Sequence, residues 1–395
     1  MLIMPKVRGF VCTTAHPVGC EAHVQEQISY VKRQGAIANG PKKVLVIGAS
    51  TGYGLASRIT AAFGSNADTL GVFFEKEPEP NRTASAGWYN AVAFEKAAKA
   101  EGLYAKSVNG DAFSDAIKEK VIQILKDEVG PVDLVIYSVA SPRRTHPKTQ
   151  HTAKSVLKPI GQPVTEKTLD TDKAEVKTIT IEPATPEEIA ETVQVMGGED
   201  WEMWLQALEE ANLLAKGCKT ISYTYIGAKQ TWPIYGKAAI GKAKEDLDRA
   251  AKALHQYLSA KQGAAYVAVM KAIVTQASSA IPIMPLYISL LYKVMKDNNV
   301  HEGAIEQIYR LFATQLFNNK SVDAMKRDDA GRIRMDDWEL RQDIQDKVED
   351  LWAKVDTQNL YEMTDFKGYQ ADFLKLFGFG FSAVNYELDV NPEVY

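Results

Sequence analysis

The sequence predicts an α/β protein built on a Rossmann-type, doubly wound parallel sheet. Two observations support this prediction: an apolar run ends in a glycine-rich turn within residues 43–58, and strand-like and helix-like segments then alternate four times up to Ser138. Hydrophobic residues make up 46% of the 395 residues and charged residues 24%, which is typical of a globular protein with a large core. We expect one large domain over residues 1–395, with a core at 40–145 and 218–300, a β-hairpin or lid insertion at 145–217 and C-terminal helical additions at 300–395.

The individual elements follow from the hydrophobic pattern of the chain. Short apolar runs predict strands at 44–47, 69–75, 103–108, 132–138, 220–226, 266–270 and 272–276. Helical periodicity predicts helices at 21–35, from Leu55, at 90–101, 117–128 and 186–196, from Glu199, and at 242–260, 303–318 and 338–355. An irregular, aromatic-rich tail is expected after the last helix.

The glycine-rich turn has the spacing G-x-x-x-G-x-G, formed by Gly48, Gly52 and Gly54. Gly48 can adopt a positive φ as the chain leaves the strand, which a Cβ would oppose. The two later glycines let backbone N–H groups approach a pyrophosphate at a helix N-terminus, where the helix dipole favours negative charge. The same turn also carries side chains with donors, at Ser50, Thr51 and Tyr53. A strand–glycine–helix turn without a ligand is the alternative.

The second strand, at 69–75, ends in an acid, Glu75. In nicotinamide-binding units an acid at this position accepts hydrogen bonds from the adenosine ribose hydroxyls, and it repels the additional phosphate of NADP. Glu75 lies 27 residues beyond Gly48, so the helix between the two strands must be long. We therefore expect NADH rather than NADPH as the cofactor, with a solvated strand-end carboxylate as the alternative.

The third and fourth strands also end in candidate ligand-binding residues. After the third strand, an acid and a backbone N–H of such folds lie near adenine, which indicates Asp111 and Ala112, although Asp111 could equally be a helix cap. The fourth strand opens into Val139 and Ala140 at the carboxyl edge of the sheet, where ligands bind in open α/β folds.

Residues 145–200 interrupt the alternation of strands and helices. Alternation around Val176, Ile179 and Ile181 predicts a β-hairpin on the ligand edge of the sheet. Thr185 begins a helix with a capping box and with proline at the first helical position. Gly197 and Gly198 end that helix and are candidates for the hinge of a lid.

The predicted catalytic pair, Tyr235 and Lys244, follows the fifth strand with the spacing Y-x8-K. In reductases of the Rossmann class, a tyrosine hydroxyl donates to the substrate carbonyl and a lysine holds the nicotinamide ribose. The charge of the lysine also favours the phenolate, so we expect a lowered tyrosine pKa. The spacing alone arises by chance in a chain with 17 tyrosines, and the position after the fifth strand gives it weight.

The segment 278–295 is apolar and is interrupted by prolines. It fits the lining of a pocket for an acyl chain, with methionines as adaptable surface, but it fits ordinary core as well. On the residues alone, ordinary core is the favoured interpretation.

A cysteine and histidine cluster lies near the N-terminus, formed by Cys12, His16, Cys20 and His23. Zinc accepts such ligands, and the i, i+4 spacings would face one another on a helix. However, a proline and a glycine interrupt that helix, and the spacing is not that of a usual zinc motif. We expect no metal, but buried thiols and turn histidines.

Composition excludes several classes of protein. The net charge is −4 and no basic stripe occurs, so we expect no nucleic-acid partner. The first residues lack the apolar run of a signal peptide, and the apolar stretch at 280–291 is far shorter than the roughly 20 residues of a membrane span. Three cysteines favour a reducing compartment, so we expect a cytoplasmic protein.

Together these motifs resemble, along nearly the whole chain, the FabV-type enoyl-ACP reductases and the closely related trans-2-enoyl-CoA reductases. No single motif is specific, but the set of them is. The stretches that carry the resemblance are Val11–Cys20, Gly48–Gly54, Gly87–Asn90, Tyr137–Arg144, Met196–Trp201, Tyr235–Lys244, Val274–Gln276 and Pro282–Met295.

The resemblance implies an oxidoreductase that uses NADH to reduce the α,β double bond of an enoyl thioester, carried by CoA or acyl carrier protein, in the last step of a fatty-acid elongation cycle. It implies that Tyr235 is the acid, that Lys244 binds the cofactor and that Tyr225 contacts the substrate. It also implies a monomer without metal, and it favours the segment 278–295 as the border of an acyl pocket instead of ordinary core. The implied NAD positions are Gly48, Ala49, Ser50, Thr51, Gly52, Tyr53, Phe74, Glu75, Asp111, Ala112, Val139, Ala140, Ile273, Val274 and Thr275.

Two other functions stay open on the residues alone. A carbonyl reductase of the short-chain dehydrogenase type also uses tyrosine and lysine, but with a Y-x3-K spacing that neither Tyr235 nor Tyr225 satisfies. A protein that senses NAD without turnover would explain the glycine turn and Glu75, but would not need Tyr235 and Lys244 together. The fold does not separate these functions, and the site residues favour the enoyl reductase.

Overall fold

The computed structural model describes residues 1–318 and 325–393. In chain order the described strands are β1 (Val7–Arg8), β2 (Val11–Cys12), β3 (Lys43–Ile47), β4 (Asp68–Phe73), β5 (Ala105–Asn109), β6 (Val132–Tyr137), β7 (Arg143–Thr145), β8 (Thr152–Lys154), β9 (Val164–Asp170), β10 (Glu175–Ile181), β11 (Leu214–Thr224), β12 (Ala264–Val269) and β13 (Ile333–Arg334).

The described helices surround these strands. They are α1 (Pro17–Gln34), α2 (Gly52–Ser65), α3 (Ala86–Ala100), α4 (Asp115–Ile124), α5 (Pro186–Met196), α6 (Glu199–Glu210), α7 (Ala239–Ser259), α8 (Gln276–Ser279), α9 (Met284–Asp297), α10 (Ala304–Leu311), α11 (Gln342–Lys354), α12 (Leu360–Met363) and α13 (Phe366–Lys375). Five-residue π-helical turns extend α4 and α10, at Leu125–Val129 and Phe312–Leu316.

Seven parallel strands form the central sheet, in the order β13-β12-β11-β6-β3-β4-β5. The chain runs outward from β3 through β4 to β5, and then returns to β6 on the other side of β3. The order therefore reverses between β3 and β6, which is the topological switch point where such sheets bind ligands. The predicted Rossmann-type, doubly wound fold is confirmed.

The strands alternate their side chains between two helical layers. On β3, Val44 and Val46 pack in the core with α1, α2, α3 and α10, while Leu45 and Ile47 pack in the core with α4, α6 and α7. Successive side chains of a strand point to opposite faces, so a strand buried on both faces needs the continuous apolar run that the sequence shows.

The predicted hairpin is present as β9 and β10, which pair antiparallel from Val164 opposite Ile181 to Asp170 opposite Glu175. It packs against α9, where Leu169 lies in the same core as Leu286. The predicted capping box also forms, since Thr185 Oγ1 accepts from the Glu188 N–H at 3.2 Å and Glu188 Oε2 accepts from the Thr185 N–H at 2.9 Å. These two local predictions are confirmed.

Gly197 and Gly198 lie where α5 and α6 meet α7. A Cβ at Gly198 would lie 2.1 Å from the Cβ of Ala250, and one at Gly197 would lie 2.6 Å from Asp246 Oδ2. Close packing thus accounts for both glycines. Their role as a hinge stays a prediction.

The predicted strand at 272–276 is wrong. β12 ends at Val269, and the next residues form a loop that leads into α8. The N–H of Ala272 donates to Glu339 Oε2 at 2.7 Å, and that of Val274 to the Tyr292 hydroxyl at 3.2 Å. Side chains therefore accept the backbone hydrogen bonds that a neighbouring strand would otherwise accept. The seventh strand is β13, whose Ile333 pairs with Ala268.

Predictions near the two ends of the chain also differ from the structure. α1 begins at Pro17 instead of being interrupted there, because proline suits the first turn of a helix, whose N–H groups lack intrahelical partners. The aromatic-rich tail contains α13, which packs against α9 with Phe366 and Tyr369 buried. Part of the charged segment that follows α10, residues 319–324, lies outside the described residues.

No helix in residues 1–318 or 325–393 has both the length and the apolar character that crossing a bilayer requires.

Candidate active site

The glycine turn lies at the switch point, between β3 and α2. Gly48 has φ +89°, and a Cβ there would lie 2.0 Å from the carbonyl oxygen of Ser138 at the end of β6. A Cβ at Gly54 would lie 1.8 Å from the Gly48 oxygen. Only glycines allow this close approach, which aims the first turn of α2, starting at Gly52 with Thr51 as N-cap, at the carboxyl edge. These residues fit a pyrophosphate.

Glu75 follows β4 at the same edge, and two serines hold its carboxylate. Oε1 accepts from Ser50 Oγ at 2.6 Å and Oε2 from Ser85 Oγ at 2.5 Å, while a Cβ at Gly87 would lie 2.1 Å from Oε1. Asn109 Oδ1 accepts from the Glu75 N–H at 2.9 Å. An ionised carboxylate has about four acceptor positions, so it can still accept from ribose hydroxyls.

Phe74 and Asp111 occupy the edge beside Glu75. The Phe74 side chain is 77% exposed, the largest exposed fraction among the exposed large hydrophobic residues of the described chain, and its open ring face fits an adenine. Asp111 Oδ1 accepts from the Phe113 N–H at 3.0 Å, but α4 is capped by Ser114, whose Oγ accepts from the Ile117 N–H at 3.3 Å. The helix-cap alternative for Asp111 is therefore wrong.

The loop that replaces the predicted strand contacts the glycine turn. A methyl carbon of Thr275 lies 3.7 Å from the position of a Cβ on Gly52, and the Tyr53 hydroxyl donates to the Lys271 oxygen at 2.8 Å. Ile273, Val274 and Thr275 are thus brought beside the turn from more than 200 residues away. Val139 and Ala140 follow β6 at the same edge.

Tyr235 and Tyr225 form the aromatic centre of the site. Their ring centroids lie 5.1 Å apart in an edge-to-face arrangement. The Tyr225 hydroxyl donates to Glu339 Oε1 at 3.1 Å. The Tyr235 side chain is 7% exposed, and its hydroxyl has no hydrogen-bond partner in the described part of the chain. Of the two hydroxyl protons, that of Tyr235 is the one left free for a ligand.

The pKa shifts of the predicted catalytic pair, Tyr235 and Lys244, differ from the prediction. Burial raises the pKa of Tyr235 instead of lowering it, so the expected lowering by Lys244 is wrong for this structure. Burial also lowers the pKa of Lys244 to about 8, against the opposing charge of Asp248 one helical turn along α7. Both shifts have the same cause, because removal from water disfavours the charged form of each group.

Sequence analysis missed a buried carboxylate, Glu339. Its Oε1 accepts from Tyr225 and, at 2.8 Å, from Tyr287, and its Oε2 accepts from the Ala272 N–H. Burial raises its pKa, and the charge of buried Lys271 opposes that shift. Glu339 thus ties Tyr225, α9 and the loop after β12 together. It lies in a turn before α11, in a stretch whose pattern predicts an ordinary helix, and we find no sequence signal that marks it.

Models of known families match most of the chain. A model of the trans-2-enoyl-CoA reductase catalytic region matches residues 82–317, and a model of the NAD(P)H binding domain of trans-2-enoyl-CoA reductase matches residues 2–80. This chain belongs to the trans-2-enoyl-CoA reductase family. A third model, described as an enoyl reductase FAD binding domain, matches residues 327–390.

Relatives of this reductase agree with that assignment. It is 63% identical to an enoyl-[acyl-carrier-protein] reductase [NADH] of Saccharophagus degradans, over 100% of this chain and 99% of the relative. It is 58% identical to the FabV enoyl-[acyl-carrier-protein] reductase [NADH] of Aeromonas salmonicida, over 100% and 98%. The predicted resemblance is confirmed.

Solved structures of the family show the same fold. The trans-2-enoyl-CoA reductase of Treponema denticola in complex with NAD matches with a TM-score of 0.94 and 48% identity, over 99% of this chain and 98% of that one. A Clostridium trans-2-enoyl-CoA reductase in complex with NADH matches with a TM-score of 0.96 and 42% identity, over 100% and 98%.

Residues 327–390 of this reductase do not fit a flavin, despite the description of the third model. They form β13 and the helices α11, α12 and α13, whose buried side chains pack on α9. In Rossmann-type folds a dinucleotide phosphate binds at a strand–glycine–helix turn with open N–H groups, and no such turn occurs in this fully described stretch. At the start of α13, Asp365 Oδ1 accepts from the Gly368 N–H at 3.1 Å.

The N-terminal cysteine and histidine side chains cap a helix, pack against other rings or are buried as free thiols. His16 caps α1, with Nδ1 accepting from the Gly19 N–H at 3.2 Å, and its ring packs edge-on against Tyr386. Cys12 and Cys20 are free and buried. Within residues 1–318 and 325–393, no group of three or more His, Cys, Asp or Glu side chains is placed to hold a metal ion.

Proposed function

We propose that this protein reduces the α,β double bond of trans-2-enoyl thioesters with NADH and so completes a fatty-acid elongation cycle. The observation that carries the mechanism is the state of the two site tyrosines. Tyr235 is nearly buried, and its hydroxyl has no hydrogen-bond partner among residues 1–318 and 325–393. Its ring contacts that of Tyr225, whose hydroxyl already donates a hydrogen bond to Glu339. A carbonyl reductase of the short-chain dehydrogenase type is disfavoured by the family to which the chain belongs.

The residues at the switch point fit NADH, and their roles form part of the proposal. Gly48 to Tyr53 and the N-terminus of α2 hold the pyrophosphate. Glu75 accepts from the adenosine ribose, with Phe74, Asp111 and Ala112 around the adenine. Lys244 donates to the nicotinamide ribose, and the loop Ile273–Thr275 lies beside the nicotinamide, with Val139 and Ala140. When bound, NADH supplies the hydride that the β-carbon of the substrate receives.

Tyr235 has the central chemical role in this proposal. As the β-carbon is reduced, negative charge develops on the thioester oxygen, and the Tyr235 O–H donates a hydrogen bond to it. One such donor is worth on the order of 10²–10³ in rate. The α-carbon then takes a proton from Tyr235, or from water through it. Tyr225 contacts the substrate, but its own proton can reach the enolate only if its hydrogen bond to Glu339 is given up.

The remaining features of the proposal concern substrate and assembly. The buried, proline-started helix α9 borders the acyl pocket, and the hairpin β9–β10 covers it. The thioester is carried by CoA or by acyl carrier protein. A single decorated domain, a monomer and a cytoplasmic location stay predictions from the sequence.

The first test is the consumption of NADH by the purified protein with crotonyl-CoA and with a longer enoyl-CoA, repeated with NADPH and with a ketone. We expect turnover of both enoyl thioesters with NADH, weak turnover with NADPH and none with the ketone. NADH binding without turnover of any enoyl thioester would refute the reaction and favour an NAD sensor.

The lowered pKa of Lys244 predicts a pH dependence. Its ammonium is present below about pH 8 and is lost above it, and the charged form donates to the ribose. The kcat/KM for NADH should therefore fall as the pH rises through about 8, approaching about tenfold per pH unit. In Lys244→Arg, which stays charged, the fall should disappear. If it remains near pH 8, another group is responsible, such as Lys271, whose pKa burial also lowers to about 8.

A further inference from the structure

A buried ion pair lies behind the proposed adenine site. Lys118 on α4 and Asp200 on α6 are joined by a hydrogen bond of 2.8 Å, and their side chains are 5% and 2% exposed. Asp200 also accepts from the Tyr137 hydroxyl at 3.0 Å. A buried pair of this kind is weak evidence for stability, because removing both charges from water offsets much of their attraction. Its remaining contacts point to another role.

Those contacts converge on the loop that follows β5. The Lys118 ammonium donates to the carbonyl oxygens of Ala112 and Phe113, each at 3.1 Å. Trp204 on α6 donates its indole N–H to the same Ala112 oxygen at 3.1 Å, and its ring lies 5.2 Å from the ammonium. Lys118 and Trp204 together thus fix the orientation of the peptide groups at Ala112 and Phe113.

This fixation determines which backbone groups face the ligand edge. The Ala112 carbonyl oxygen accepts from two donors, so turning that peptide around would remove one of the hydrogen bonds of the Lys118 ammonium and leave the buried indole N–H of Trp204 unpaired. An unpaired buried donor is unfavourable, because it has lost its hydrogen bonds to water without gaining a partner. The peptide and the Asp111 side chain at the edge are therefore preorganised, which reduces the ordering that ligand binding must supply.

From these contacts we infer that Lys118, Asp200 and Trp204 are positioning residues for the adenosine half of the cofactor. They touch neither substrate nor cofactor, and act through the loop Asp111–Phe113. The inference rests on the proposed function, because it takes Asp111 and Ala112 as the adenine site.

α6 offers a matched pair of variants. Trp204 and Trp201 are both fully buried on this helix, and each donates one indole N–H, Trp204 to Ala112 and Trp201 to Thr220 Oγ1 on β11 at 2.8 Å. Trp204→Phe and Trp201→Phe each remove one indole N–H from a fully buried tryptophan of the same helix. Only the indole N–H of Trp204 donates to the loop Asp111–Phe113.

The experiment compares NADH with ADP-ribose, which lacks the nicotinamide, and with reduced nicotinamide mononucleotide, which lacks the adenosine. We expect Trp204→Phe to raise the KM for NADH and the Ki of ADP-ribose about fivefold relative to Trp201→Phe. The kcat/KM for reduced nicotinamide mononucleotide, which lacks adenosine, should be the same in both variants. A purely structural role would change all three quantities together.

The outcomes separate the inference from the proposed function. No NADH turnover by the unchanged protein refutes the function. Normal turnover with an equal Ki of ADP-ribose in the two variants refutes the inference alone. If Trp204→Phe does not fold, the double variant Lys118→Met with Asp200→Leu removes both charges at once, and it should raise the Ki of ADP-ribose at least about tenfold and leave the mononucleotide unaffected. An unchanged Ki in that variant also refutes the inference.

Discussion

Tyr235→Phe should lower kcat for crotonyl-CoA by about 10²–10³ while leaving the affinity for NADH within about twofold. The phenyl ring preserves the edge-to-face contact with Tyr225, and the change removes only a hydroxyl that has no partner in the described chain. Folding should therefore be undisturbed. The loss would appear in kcat because the hydrogen bond forms with charge that develops in the transition state. Steady-state kinetics and the quenching of protein fluorescence by NADH measure the two quantities.

Tyr266→Phe is the matched control for this variant. Tyr266 is a similarly buried tyrosine, 3% exposed, on β12 within the sheet core. Its kcat should stay near that of the unchanged protein. If Tyr235→Phe retains more than a tenth of kcat, Tyr235 is not the donor, and Tyr225, released from Glu339, becomes the leading alternative.

Glu75→Gln should raise the kcat/KM with NADPH relative to NADH by about tenfold or more. The amide has the same shape as the carboxylate and can keep contacts with Ser50 and Ser85. The substitution removes the negative charge that repels the 2′-phosphate of NADPH. In water or near a protein surface, two like charges at close range repel each other by roughly 1–4 kcal/mol. The ratio of the two kcat/KM values, measured at one ionic strength, reports the change.

Glu77→Gln is the control for charge alone. Glu77 is an exposed acid two residues farther along the same edge, with Oε1 accepting from Asn109 at 3.3 Å. A general electrostatic effect would shift the cofactor ratio in both variants. A shift confined to Glu75→Gln assigns the preference to this carboxylate, and equal ratios in all three proteins would show that Glu75 does not face the ribose.

The elements that sequence analysis predicted well depend on neighbours in the chain. The turn at Gly48, the capping box at Thr185 and the hairpin β9–β10 each need only a few residues to adopt their local geometry. The prediction of a strand at 272–276 was wrong because the conformation of this segment depends on residues far away in the chain. An apolar run favours an extended chain, but a ladder needs an adjacent strand, and here Glu339 and Tyr292 supply the hydrogen bonds instead.

The sequence alone was enough to predict the doubly wound fold, the glycine-rich turn and the resemblance to the enoyl reductases, because these follow from local periodicity and short motifs. Packing in the tertiary structure lets Tyr225 donate a hydrogen bond to Glu339, which lies 114 residues away, and brings Lys118 and Asp200, 82 residues apart, together behind the loop Asp111–Phe113. It also decided the direction of the Tyr235 and Lys244 pKa shifts. Hydrogen bonds between distant side chains and the loss of water around a charge depend on packing in three dimensions, and no spacing along the chain encodes them.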